Sequence, residues 1–225
     1  MQQDKILEAF NNASDNYDKY RKQAIPNMDI FYKTLIDEIT GYTKPEILDL
    51  GAGTGILSEM IYNIYPTSNL TLLDFSEDML KKAEKKFENT TNIKYLKADY
   101  LKYDYTNKYD IITSSLSIHH LENTKKQELY NKIYDTLNHG GIFVNADLAL
   151  GNTPNTEEIY KQKDYNHLKK QDIPEEEKQK LTERRKLDKP ATIKENMKYL
   201  EKAGFTDVDV YYKYYRYFVM KAKKE

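Results

Sequence analysis

The sequence predicts an α/β domain: a mostly parallel sheet with helices on both faces, closed by an antiparallel strand pair. Three observations predict it. Short apolar runs alternate with amphipathic helical stretches between Pro45 and Ala146, the rhythm of βαβ units with right-handed crossovers. The first of these runs leads directly into a glycine-rich turn. The last two runs lie so close together that they must pair as an antiparallel hairpin. A chain of 225 residues buries roughly 70% of its unfolded surface, so the core needs no metal or disulfide staple.

The elements follow in order. Residues 1–22 are polar and tyrosine-containing. Pro26 opens a helix over Met28–Ile39 with Ile30, Phe31, Leu35 and Ile36 as its apolar stripe, stopped at Gly41. Glu46–Leu50 reads as a buried strand, followed by Gly51-Ala-Gly-Thr-Gly55 and a helix to Ile64. Leu70–Asp74 is the second strand, with Ser76 as N-cap of a helix through Phe87. Ile93–Leu96 is the third strand and Tyr109–Ser114 the fourth. A helix over Lys125–Leu137 then precedes a turn at His139-Gly-Gly141 and the fifth strand, Ile142–Ala146.

Residues 152–190 break the rhythm. They are dense in Lys and Glu, with sparse apolar residues at Ile159, Leu168, Ile173 and Leu181. One or two inserted helices are expected, either a solvated decoration or a lid, since the segment leaves from the ligand-binding end of a sheet strand. Thr192–Ala203 is an amphipathic helix stopped by Gly204, and Asp207–Tyr212 with Tyr217–Lys221 form the final hairpin. The implied divisions are a helical cap segment (1–43), a ligand-binding core (44–150), a helical lid insertion (151–190) and a C-terminal helix and hairpin completing the core (191–225).

Composition excludes several functions. There is no Cys, which removes disulfide frameworks, thiolate metal sites and a cysteine nucleophile. The 35 Lys+Arg balance 36 Asp+Glu, which argues against a nucleic-acid partner bound by electrostatics. No apolar run approaches the ~20 residues of a membrane span, and the start, Met1-Gln-Gln-Asp-Lys, lacks the layout of a secretion signal, so a cytoplasmic location is expected. The 21 Tyr against no Trp read either as compositional bias or as aromatic faces for a cation. Tyr211, Tyr212, Tyr214, Tyr215 and Tyr217 are read as strand formers. The oligomeric state, monomer or homodimer, stays open.

The glycine-rich turn carries the functional reading. Its spacing is Gly51-x-Gly53-x-Gly55, not the G-x-G-x-x-G of a dinucleotide site, and Asp49 stands just before it inside an apolar strand. A pyrophosphate beside that carboxylate would be repelled by several kcal/mol. A ligand bearing an ammonium and a sulfonium would be favoured, and S-adenosylmethionine carries both. Asp74 ends the second strand, where a carboxylate accepts hydrogen bonds from ribose hydroxyls. Asp99 follows the third strand, placed to accept an adenine amino proton, with Tyr100 or Met79 against the ring. Ala52, Phe75 and Ser115 complete the candidate rim.

Ile47-Leu-Asp-Leu-Gly-Ala-Gly-Thr-Gly55 resembles the first motif of class I S-adenosylmethionine-dependent methyltransferases. Leu72–Ser76, Lys97–Tyr100, Tyr109–Ile112 and His139–Gly141 are similar to the later motifs in order and spacing. The resemblance implies a Rossmann-like seven-stranded sheet whose last strand is antiparallel, and cofactor roles for Asp49, Gly51, Gly53, Asp74 and Asp99. Tyr17-Asp-Lys-Tyr20-Arg21 with Ile25-Pro26 is similar to the subgroup containing carboxy-S-adenosylmethionine synthases and related small-molecule methyltransferases. That likeness implies that Tyr17, Tyr20 and Arg21 reach the methionine carboxylate, the alternative being an ordinary helix surface.

Methyl transfer from a sulfonium needs chiefly alignment and exclusion of water, worth ~7–11 kcal/mol in favourable cases. A base is needed only for a protonated acceptor. His119, ahead of His120, is the candidate base, with a structural role as the alternative. No metal is expected. The expected acceptor is a small molecule. Three other readings stay open: carboxy-S-adenosylmethionine synthesis, with Arg184 and Arg185 gathering a second anion; cofactor binding without catalysis; and, as the weakest rival, a nicotinamide enzyme.

Overall fold

The computed structural model describes residues 17–225. Its strands are β1 (Ile47–Leu50), β2 (Leu70–Asp74), β3 (Ile93–Lys97), β4 (Tyr109–Ser115), β5 (Leu137–Leu148), β6 (Thr206–Tyr214) and β7 (Tyr217–Lys223). They form one seven-stranded sheet in the order β3-β2-β1-β4-β5-β7-β6. β1 to β5 are mutually parallel, and β7 runs antiparallel to both β5 and β6. The chain winds outward from β1 to β3 and then returns to place β4 on the other side of β1. Open α/β sheets bind ligands at the carboxyl ends of their strands, where such a reversal leaves a crevice.

Two helical layers cover the sheet. One contains α2 (Met28–Asp37), α3 (Ile56–Ile64) and α4 (Glu77–Lys86), preceded in the chain by α1 (Tyr17–Ala24), which packs against residues 168–181. From α2 and α3, Phe31, Leu35, Leu57 and Ile61 pack on Ile47, Leu72 and Val144. The other face carries α5 (Asn123–Thr136) and α8 (Ile193–Ala203), whose Leu129, Ile133 and Leu200 pack on Leu48, Leu50, Ile112 and Phe143. Residues alternate between faces along a strand, so Asp49 shares its face with Ile47 and is met by Ser58 of α3.

The predicted boundaries hold closely for β2 and for Ser76, whose hydroxyl accepts the Met79 N–H at the start of α4. α8 begins with a reciprocal Thr192–Glu195 capping box and ends at Gly204 with φ +106°, as its sequence requires. Two expectations are corrected. The buried face of α2 is Met28, Phe31, Tyr32 and Leu35, whereas Ile30 is 57% exposed, because the helix is rotated to bring Tyr32 inward. The His139–Gly141 segment is not a separate turn but part of β5. Gly140 N–H donates to Lys224 O and Lys224 N–H to Gly141 O, while the β4 pairing shifts between Tyr109 and Ile111.

The insertion consists of α6 (Pro154–Lys169) and α7 (Glu175–Arg185), and it is not a detached decoration. Leu168 and Ile173 are buried against Ala24 of α1, with Tyr20 and Leu181 alongside. His167 Nε2 lies 2.8 Å from the Gln23 carbonyl. Buried Asp164 pairs with Arg185 (3.0 Å) and Arg216 (3.4 Å) and accepts from the Tyr217 hydroxyl (3.0 Å). Arg216 also pairs with Glu157. α7 itself buries no residue. Among the described residues no helix is long and apolar enough to cross a membrane.

Candidate functional site

The turn after β1 is held by its own backbone. Gly51, Gly53 and Gly55 all have positive φ, +69°, +56° and +77°, a region that L side chains enter at a cost. Gly51 N–H donates to Leu73 O at 2.8 Å. A Cβ at Gly51 would lie 2.1 Å from Ser117 Oγ, whereas one at Gly53 would meet nothing within 4 Å. The loop is therefore closed toward Ser117 and open at Gly53, the side a ligand can approach.

Three acids stand at this rim as the sequence predicts. Asp49 is buried and accepts from Ser58 Oγ (2.6 Å) and Thr113 Oγ1 (3.2 Å). Burial pushes its pKa up to about 6, and the two hydroxyls and Arg21 oppose that shift only in part. Asp74 accepts from Gly53 N–H and Ser76 N–H, each at 2.8 Å, and burial raises its pKa also. These bonds fix the carboxylate to the glycine turn. Asp99 caps the Leu101 N–H at 3.0 Å. Tyr100 bonds Ser117, and burial raises its hydroxyl pKa. Its ring lies 3.8 Å from where a Gly51 Cβ would sit. Met79 is buried at the first turn of α4, and Phe75 and Ala52 are partly buried beside the turn.

α1 crosses this rim. Asp18 accepts from Thr54 Oγ1 at 2.5 Å and pairs with Lys86, so the helix is tied to the glycine turn. Arg21 Nη2 donates to the Tyr32 hydroxyl (2.6 Å) and to Ser115 Oγ (3.2 Å), and Ser115 and Tyr32 bond each other at 2.8 Å. The structure thus joins two predicted residues, Arg21 and Ser115, through one the sequence did not suggest, Tyr32. Tyr20 packs toward the insertion and lines the cavity described next. The Tyr17 side chain, and residues 1–16 of the cap segment, lie outside the described residues.

His119 is not a free base. Its Nδ1 is 2.5 Å from Asp147 Oδ1, and its backbone N–H donates to Asp147 Oδ2 at 3.0 Å. Its Nε2 is 3.4 Å from Asp188 Oδ1. Burial opposes charge on the ring, but Asp147 and Asp188 outweigh it and hold the pKa up to about 9. A ring held by carboxylates at both nitrogens keeps its protons and does not act as a free base toward an acceptor. His120 Nδ1 lies 3.3 Å from the same Asp188 oxygen. Burial, and the neighbouring His119, push its pKa down. Asp147 on β5 and Asp188 beyond α7 were missed because acids are abundant and neither sits in a motif.

A cavity of about 120 Å³ opens between α1, the His119–His120 turn and α7. Arg21, Leu116, His120, Lys180, Arg184 and Asp188 are among its lining residues, so Arg21 belongs both to this cavity and to the glycine-turn rim.

Residues 47–141 match the family described as methyltransferase domain. The chain is 31% identical over 143 residues to a malonyl-[acyl-carrier protein] O-methyltransferase of Ilyobacter polytropus, across 62% of this chain and 52% of that protein. It is also 31% identical over 169 residues to a carboxy-S-adenosyl-L-methionine synthase of a Nitratiruptor species, across 74% of this chain and 70% of the relative. The chain therefore spans about half the length of the first relative and over two thirds of the second. In fold it is similar to the N-methyltransferase NodS of Bradyrhizobium japonicum, solved with S-adenosyl-L-homocysteine. The TM-score is 0.70 at 14% identity, covering 97% and 98% of the two chains.

Proposed function

We propose that this chain, which belongs to the class I S-adenosylmethionine-dependent methyltransferase family, binds S-adenosylmethionine at the Gly51–Gly55 turn and methylates a small-molecule acceptor. The observation that carries this reading is the rim itself: Asp49, Asp74 and Asp99 at the ends of three neighbouring strands, around a glycine turn open at Gly53. Two of these carboxylates are buried. Buried acids beside a backbone turn suit a cationic nucleoside and oppose a phosphate-bearing one.

When bound, the cofactor supplies an electrophilic methyl group on a sulfonium. The chain's own residues do the rest. Asp49 is raised to about pKa 6 without a ligand, so it is poised to ionise fully beside a cation. Asp74, oriented by two backbone N–H donors, keeps lone pairs for hydroxyl donors. Arg21, aligned by Tyr32 and Ser115, is placed to receive a carboxylate. Tyr20 and α1 shut the rim from water. The acceptor enters the cavity beyond Arg21, and the chemistry relies on orientation rather than on a base at His119.

The cavity is smaller than the ~300–1,000 Å³ of most small-molecule sites. A sizeable acceptor therefore requires α7 to move outward, parting Arg185 from Asp164 and the Ala24 carbonyl and Leu181 from its apolar neighbours. The segment 151–190 then acts as a lid on the core 44–150, with α6 as its fixed base.

The second reading is carboxy-S-adenosylmethionine synthesis. It is favoured by Arg184 and Arg185 lining the cavity, although Arg185 is already committed to Asp164. Mass spectrometry of the nucleoside that copurifies with the protein separates the two. S-adenosylmethionine or its demethylated product is expected, the carboxymethyl sulfonium would establish the second reading, and NAD would defeat both.

A further inference from the structure

We propose that His119, His120 and Asp188 form a site for a divalent transition-metal ion, zinc being the best match, with an open coordination position facing the acceptor cavity. This goes beyond methyl transfer and stands whether or not an acceptor is found.

The geometry is the first support. His119 Nε2 and His120 Nδ1 lie 3.4 and 3.3 Å from the same oxygen, Asp188 Oδ1. The three donor atoms all fall within 4.8 Å of one another. A tetrahedral zinc with bonds of about 2.0–2.2 Å separates its ligands by about 3.3–3.5 Å. Two of the three edges already have that length, and the third lies within 4.8 Å. Two imidazoles and one carboxylate suit zinc better than calcium or magnesium, which prefer oxygen.

The surroundings are the second support. A metal-bound histidine almost always donates its other ring N–H to a carboxylate, which fixes the ring and its tautomer. His119 has that partner: Asp147, buried on β5, holds Nδ1 at 2.5 Å and the backbone N–H at 3.0 Å, which directs Nε2 toward the ligand triangle. The third ligand is fixed as well. The backbone N–H of Lys189 donates to His119 O at 2.8 Å, and the N–H of Asp188 donates to Arg185 O at 3.3 Å, so Asp188 is held between the histidine turn and the end of α7.

Charge is the third. Asp147 and Asp188 place two carboxylates at a largely buried point. The nearby cations have other partners: Arg185 pairs with Asp164, and Lys126 donates to Leu121 O, Asn123 Oδ1 and Lys189 O. A divalent ion, displacing the proton from His119 Nε2, would neutralise the pair. Three protein ligands leave a fourth position, the arrangement of catalytic rather than structural zinc. All three ligands line the cavity, so that position would take water or an acceptor oxygen.

The test is zinc binding to chelator-stripped protein, read by calorimetry and metal content, with cobalt(II) absorption reporting coordination number. One ion per chain with a four-coordinate cobalt spectrum is expected. His120→Gln, which leaves the His119–Asp147 and His119–Asp188 contacts in place, should weaken binding at least tenfold, and Asp147→Asn by about 10–100-fold. S-adenosylmethionine binding by each variant checks that the fold survives. No zinc binding by the wild type, or equal affinity in a folded His120→Gln protein, would overturn the site without touching the methyltransferase reading.

Discussion

At the scale of single residues, Asp49 carries the most weight. Its ordinary pKa of 3.8 rises to about 6 through burial, so the ionised form is disfavoured in the ligand-free fold. Its contribution to stability is therefore greatest below pH 4 and is lost as pH climbs toward 6. A bound cation reverses the preference, so cofactor affinity should fall as pH drops below about 6, by up to tenfold per unit. Titrations at pH 5 and pH 7 check this, and Asp49→Asn should bind weakly with no such slope. Gly51→Ala is the steric counterpart. Its Cβ would sit 2.1 Å from Ser117 Oγ and 2.6 Å from Ser117 Cβ, at a φ of +69°, which costs about 1–3 kcal/mol of strain and should lower both stability and cofactor affinity. A thermal melt with and without cofactor reads both effects. The acids at the strand ends were legible in the sequence because a carboxylate interrupting an apolar run is conspicuous. Tyr32, Asp147 and Asp188 were not, since one among 21 tyrosines or 36 acids acquires meaning only when folding sets it against Ser115 or His119.

At the scale of elements, the two halves of the insertion should respond differently to change. α6 is anchored through Asp164, which meets Arg185, Arg216 and Tyr217. Asp164→Ala leaves two largely buried guanidinium groups short of a partner and should cost about 3–5 kcal/mol, measured by denaturant unfolding. On the exposed face of α7, Lys180→Ala should leave the unfolding midpoint essentially unchanged under the same measurement. The short parallel strands were legible because burial on both faces makes them nearly continuous apolar runs. The start of β5 was not, because its glycines find partners in Lys224, far along the chain. The α2 stripe misled at Ile30 because helical spacing alone cannot reveal that a polar-tipped Tyr32 faces inward to meet Arg21 and Ser115.

For the whole molecule, the sheet order places β1 beside β4 at the reversal of winding. The glycine turn, the histidine turn, α1 and the insertion then meet at that end. One half of this assembly is rigid, made by β1, β2, β4 and the bonds of Asp74. The other half, α7, is held chiefly through Arg185, which pairs with Asp164, and through Leu181. Such a division suits an enzyme that keeps its cofactor pocket preorganised and opens only the acceptor side. On the proposed function, the buried acids and glycine turn select S-adenosylmethionine. Isothermal titration of the folded protein with S-adenosylmethionine, its demethylated product and NAD tests it most directly. Saturable one-site binding of the first two, with no heat from NAD, is the predicted result; NAD binding in the absence of any adenosylmethionine signal would contradict it.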